Sequence, residues 1–206
     1  DGAFTGQAQR PRLRNIDARH IFNRNPIGNG SAAVIRREVF EAIAFRPDYE
    51  AHREWYFDET FRQSEDIECW LRIALSTDWE FEGVPGLLTN YRISAGGLSS
   101  ATDRQLAAWE RMVGKLFSLA PEFFASEAPV ARAYQLRYLS RRAISDLDAP
   151  RARELSHAWV KTSLTPVREE PLKSATTLAA AYTLSLLGPR FLRQIMSLAA
   201  RKGATQ

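Results

Sequence analysis

The sequence predicts an α/β to α+β fold over residues 1–102, followed by an α-helical region over 103–206. Two observations carry this. Before residue 103, short apolar runs at 31–35, 79–81 and 86–92 alternate with helical periodicity, and turn residues bound them at the lengths of buried strands. After it, one helical pattern follows another, with breaks expected near Pro121, Pro129, Pro150, Pro166, Pro171 and Pro189, because proline removes an amide donor. At 45% hydrophobic residues, the chain can bury a sizeable core.

Taken in order, residues 1–25 are rich in Arg, Gln and Gly and read as irregular structure with room for one short strand. Residues 1–14 lack the apolar core of a signal peptide, and a start at Asp1-Gly2 without methionine points to a longer parent chain. Asn25-Pro26-Ile27-Gly28-Asn29-Gly30 is a dense turn signal leading into the strand at 31–35. A helix is expected over 36–44, with Val39, Phe40 and Ile43 as its apolar stripe. The stretch 46–61 holds Tyr49, Trp55, Tyr56, Phe57 and Phe61 and reads as a long active-site loop. Ser64 is placed to cap the next helix, whose Ile67, Trp70, Leu71, Ala74 and Leu75 fall on one face. Strands at 79–81 and 86–92 are separated by Val84-Pro85 and followed by a Gly/Ser loop.

A formal charge of +4 and a pI near 9.5 favour an anionic partner: a nucleotide diphosphate, an acidic lipid surface or a nucleic acid. Nucleic acid ranks last, because the basic residues are interleaved with acids and no reading motif is present. The single cysteine, Cys69, excludes an internal disulfide and a cysteine-only zinc framework and fits a reducing compartment. His20, His52 and His157 are far apart in sequence and receive no metal role.

Glu65 and Asp66 open the clearest helix in the chain. Adjacent helical side chains point about 100° apart, so the two acids cannot serve one partner. Asp66 precedes the core-facing Ile67 and falls at the edge of the buried stripe, beside whatever cleft the 46–61 loop shapes. The plainer reading is that both acids complement the positive end of the helix, worth roughly 0.3–1 kcal/mol each.

Several motifs in order shift that balance. Asn25-Pro26-Ile27-Gly28, the 31–37 run ending in Arg36-Arg37, Phe57-Asp58-Glu59, the string from Ser64-Glu65-Asp66 to Leu71-Arg72, Val84-Pro85 and Tyr91-Arg92 together resemble the acceptor-side half of family 2 glycosyltransferases with the GT-A fold. The resemblance spans roughly residues 25–100. It implies a partial GT-A, incompletely Rossmann-like portion lacking its nucleotide-binding half, and an inverting hexosyltransferase-like activity that this chain alone would not complete.

The resemblance makes Asp66 the catalytic base, which takes the proton of an acceptor hydroxyl as it attacks the anomeric carbon. Glu65 then orients the acceptor or Asp66. The turn Gly28-Asn29-Gly30 falls on the acceptor side of the cleft, where glycine permits close backbone approach; its other reading is an ordinary turn into a strand. Trp55 is the candidate sugar-stacking surface, whereas Trp70 lies in the core stripe. Arg92 either binds diphosphate or pairs with an acid such as Asp66 or Glu68. Implied partners are a nucleoside-diphosphate sugar and a saccharide or lipid-linked acceptor. A divalent metal, Mg or Mn, is expected in the full-length enzyme, but the Asp-x-Asp motif that would hold it is absent before Asn25. The literal match Asp146-Leu147-Asp148 lies in the helical region, where it reads as one helix end and the cap of the next.

Residues 175–187 are apolar but shorter than the roughly 20 residues that cross a bilayer. Beyond Pro189, residues 190–202 divide into an apolar side and a basic side, as in a helix lying on an anionic membrane. The expected location is cytoplasmic, peripheral to the inner face of the membrane. The competing class is a non-catalytic helical interaction or assembly module.

Overall fold

In a computed structural model of the chain, residues 8–90 and 102–203 are described, with only the backbone of 195–203. The chain forms two compact units, Asp1–Glu127 and Ala128–Gln206.

In the first unit, Asp17 opens α1 (Ala18–Arg24), its carboxylate accepting the His20 amide at 2.6 Å. This helix falls in a stretch expected to be irregular. Its Ile21 and Phe22 are buried, and Phe22 stacks on Trp109 at 5.5 Å and meets Phe124 edge-on at 5.3 Å. A 3₁₀ turn, Gly30–Ala32, leads to α2 (Arg37–Ile43), which buries Val39 and Ile43. Helix α3 (Glu65–Ser76) buries Ile67, Glu68, Cys69, Trp70, Leu71 and Ile73. Its first two turns are therefore enclosed on most sides rather than along one stripe. Helix α4 (Thr102–Phe117) faces the core with Trp109, Met112 and Leu116, spaced three and four residues apart.

The α/β to α+β expectation, with its partial GT-A portion, is overturned: among the described residues the fold is all-helical and contains no sheet. Of the 31–35 run, Ser31 and Ala32 lie in the 3₁₀ turn; Ala33 and Arg36 are extended and residues 33–36 join no ladder, leaving Val34 fully exposed. At 79–81 only Phe81 pairs, in a single antiparallel bridge to Ile16. Leu87 and Leu88 are exposed and unladdered, and residues 91 and 92 lie outside the described residues. The physical reason is that strand character belongs to a pair of segments. Apolar, extended-prone residues make a sheet only when a partner satisfies their backbone groups and covers one face.

The second unit is built from α5 (Pro121–Ser145), within which the division falls, α6 (Ala149–Thr162), α7 (Thr165–Glu169) and α8 (Pro171–Gly203). Pro121, Pro150, Pro166 and Pro171 sit in the first turns of their helices, where no amide bond is lost. Pro129 does not break α5; the carbonyl it leaves unbonded, on Ala125, is at an exposed position open to water. Asp148 caps α6 by accepting the Arg151 amide at 3.1 Å. Helix α8 packs on α6 and α7 and changes direction at Gly188, whose φ of 80° is left-handed. Inside this unit the buried Arg137 donates to Glu170, Ser174 and the Pro166 carbonyl.

Candidate functional site

Asp66 lies in the first turn of α3, and its surroundings are set by two left-handed residues, Ser64 (φ 67°) and Asn25 (φ 41°). Ser64 occupies the cap position but makes no side-chain cap bond, because capping geometry needs an extended backbone there. The Asp66 carboxylate instead accepts the Ile67 amide at 2.7 Å. Asn25 ends α1 and bridges two features: its side chain hydrogen-bonds Asp66, and its Oδ1 accepts the Gly28 amide at 3.2 Å. Burial pushes the Asp66 carboxyl above the ordinary aspartate range, and the charge of Glu65 adds to the rise; the bonds from Ile67 and Asn25 offset part of it.

The turn is fixed from the other side as well. Trp70 donates its indole N–H to the Gly28 carbonyl at 3.1 Å, and Phe57 meets its ring edge-on at 5.8 Å. Gly28 holds φ +78° with open space where a Cβ would stand, so the backbone angle alone requires glycine. Asn29 caps the 3₁₀ turn through the Ser31 amide at 3.1 Å, and Gly30 is exposed. Asp66, Asn25, Gly28 and Trp70 thus form one connected set, with Glu65 beside it.

Trp55 is elsewhere in the network. It is buried, exchanges backbone hydrogen bonds with Phe45 at 2.8 and 3.0 Å, and meets the Phe45 and Tyr49 rings edge-on. Its indole donates to Glu50, and Arg53 lies over its ring. Arg92 lies outside the described residues.

A second cluster was not legible in advance. Glu68, fully buried, accepts Arg72 Nε at 3.1 Å and Lys115 Nζ at 2.8 Å on one oxygen, and Arg72 Nη2 at 3.3 Å on the other. Lys115 also donates to Asp58 at 2.8 Å, and Arg72 donates to the carbonyls of Ile43 and Tyr56. Burial raises the Asp58 carboxyl, but its bonds from Lys115 and Thr60 outweigh this and hold it below the usual range. The four charges cancel in pairs and tie the 44–61 loop to α3 and α4. Only the Glu68–Arg72 link, an i,i+4 pair, had a local signal in the sequence.

No group of three or more His, Cys, Asp or Glu among the described residues is placed to hold a metal ion. The described residues offer no such donor set for a diphosphate-bound cation. Among the described residues, no helix is long and apolar enough to cross a membrane. No family model, curated protein or solved structure matches the chain.

Proposed function

We propose that this chain supplies the acceptor-side, general-base part of an inverting sugar transfer, with Asp66 as the base. The observation that carries this is the Asp66 carboxyl itself: part-buried, raised in proton affinity, and held by Asn25 against the Gly28 turn. An acceptor hydroxyl is a weak nucleophile at neutral pH, and a base works best when its proton affinity approaches the working pH. Burial moves Asp66 in that direction. Its fixed contacts use the Ile67 amide and Asn25, leaving acceptor capacity for a hydroxyl, since a carboxylate offers about four lone-pair sites.

In this reading Glu65 reinforces the proton affinity of Asp66 through like charge, Gly28 holds the turn through Asn25 and Trp70, and Asn29 and Gly30 offer backbone to the acceptor, a saccharide or a lipid-linked one. The nucleoside-diphosphate sugar, and any Mg or Mn that neutralises its leaving group, are assigned to residues other than these. The proposal rests on the site and on the resemblance of the ordered motifs to those of family 2 glycosyltransferases, not on a sheet architecture.

The test is transfer by the protein encoded by the complete gene. Asp66→Asn should lower kcat by roughly 10²–10⁴-fold while changing the acceptor KM little. Near-normal turnover in that variant would end the assignment.

A further inference from the structure

Helix α8 has a buried side and, opposite it, an exposed apolar stripe. One side, which includes Ser174, Thr177, Ala181 and Leu184, is buried, and the helix packs on α6 and α7. The other carries Leu172, Ala179, Tyr182 and Leu186, which a 3.6-residue repeat gathers within an arc of roughly 80°. That outer side faces water: Leu172 is 76% exposed, Leu186 77%, and Tyr182 45%. Leu187 and Phe191, on either side of the bend at Gly188, are exposed as well.

The charge that follows this stripe in the sequence is of one sign. From residue 174 to 206 there is no Asp or Glu, while Arg190, Arg193, Arg201 and Lys202 are basic; Lys173, before that span, is paired with Glu170. Arg190 and Arg193 are exposed next to Phe191. We infer that the exposed apolar residues of α8 before the bend, together with Phe191 and the exposed Arg190 and Arg193 just after it, seat on an anionic phospholipid surface. The uncharged run 174–189 ends at Arg190 and is shorter than the roughly 20 residues that span a bilayer, so the helix lies on the membrane and does not enter it end-on. Aliphatic residues and an interfacial tyrosine enter the acyl boundary, and the guanidinium groups meet lipid phosphates.

A second copy of the chain fits this surface less well. Parallel pairing of two copies sets the exposed Arg190 and Arg193 of one against those of the other, which opposes like charges. The surface extends the basic-apolar pattern at 190–202 back to Leu172, and it is independent of the sugar-transfer reading, since it needs neither donor nor acceptor.

The test is flotation of the full chain with phosphatidylcholine vesicles, with and without phosphatidylglycerol. The chain should float with the phosphatidylglycerol vesicles, less so as salt is raised. Leu186→Glu combined with Phe191→Glu should lower partitioning roughly tenfold or more, and Arg190→Glu with Arg193→Glu should remove the preference for anionic vesicles. Thermal unfolding of both variants should match the parent, because the altered side chains are exposed. No flotation of the parent chain, or equal flotation of the Leu186→Glu/Phe191→Glu variant, would overturn the proposal. So would concentration-dependent self-association that these substitutions abolish without any vesicle binding.

Discussion

Replacing Glu68 tests whether the buried charge cluster holds the first unit together. Glu68 has no exposed surface and satisfies both Arg72 and Lys115, while Arg72 is also committed to the Ile43 and Tyr56 carbonyls. Removing the carboxylate leaves two cations against one remaining acid, Asp58, in a site from which water is largely excluded. Breaking a buried pair from one side costs about 3–5 kcal/mol, a large part of the roughly 5–15 kcal/mol that holds a typical domain. Glu68→Gln keeps the shape and one acceptor oxygen and belongs at the lower end; Glu68→Leu belongs at the upper. Lys115→Met should cost less, because the lysine side chain is 30% exposed and Asp58 keeps its bonds from Thr60. Urea unfolding followed by tryptophan fluorescence measures each value, and the double variant Glu68→Gln/Lys115→Met gives a coupling energy expected between about 0.5 and 3 kcal/mol. A Glu68→Gln cost below about 0.5 kcal/mol, or strict additivity of the two changes, would refute the claim that this cluster is an energetic unit.

Asp66→Asn should stabilise the fold at neutral pH. Burial raises the folded-state proton affinity of Asp66, so its ionisation in the fold costs stability that is absent below the unfolded aspartate value, about 3.9, and complete above the raised folded value. The gain in Tm should therefore be largest near neutrality and fade as pH falls toward 3.9; a pH-independent loss in Tm would contradict it. Cys69 is buried, its thiol pushed up to about 12 by burial, so iodoacetamide should label it only when the protein is unfolded, and rapid native-state labelling would count against the packing of α3. Gly28→Ala should lower stability by about 1–2 kcal/mol for its left-handed backbone alone, whereas Gly30→Ala, with open space and no positive φ, should stay within about 0.5 kcal/mol; equal effects at both sites in chemical denaturation would reject this account.

The helices were legible where the signal is local. Val39 and Ile43 in α2, Ile67, Trp70 and Leu71 in α3, and the prolines that open four helices occupy positions that periodicity and donor loss dictate. Helix α1 was missed because seven residues with two apolar positions leave little periodicity, although Asp17 supplied a cap signal. The strands failed for a different reason. Ala33 and Arg36 do take up extended backbone, but whether a partner lies alongside is a property of the whole chain. The same limit applies to the site: Glu65 and Asp66 stand out by type, whereas the pairing of Asp58 and Glu68 with Lys115 joins residues 57 and 47 positions apart.

The first turn of α3 contains three acids, Glu65, Asp66 and Glu68, and a dipole argument treats them alike, as anions near the positive end of a helix. Their positions around the axis separate them. Asp66 and Glu68 are two residues, hence about 200°, apart, and they meet opposite surroundings: Asp66 meets the Asn25 side chain and little compensating cation, and Glu68 meets Arg72 and Lys115. The same carboxylate chemistry therefore yields a raised proton affinity on one side and a neutralised structural cluster on the other. The cluster fixes α3 through its buried side, so the Asp66 side can keep an acid that burial disfavours. A general base at Asp66, as proposed, needs a rigid support that does not share its partners, and the separation of the two acids across α3 provides one.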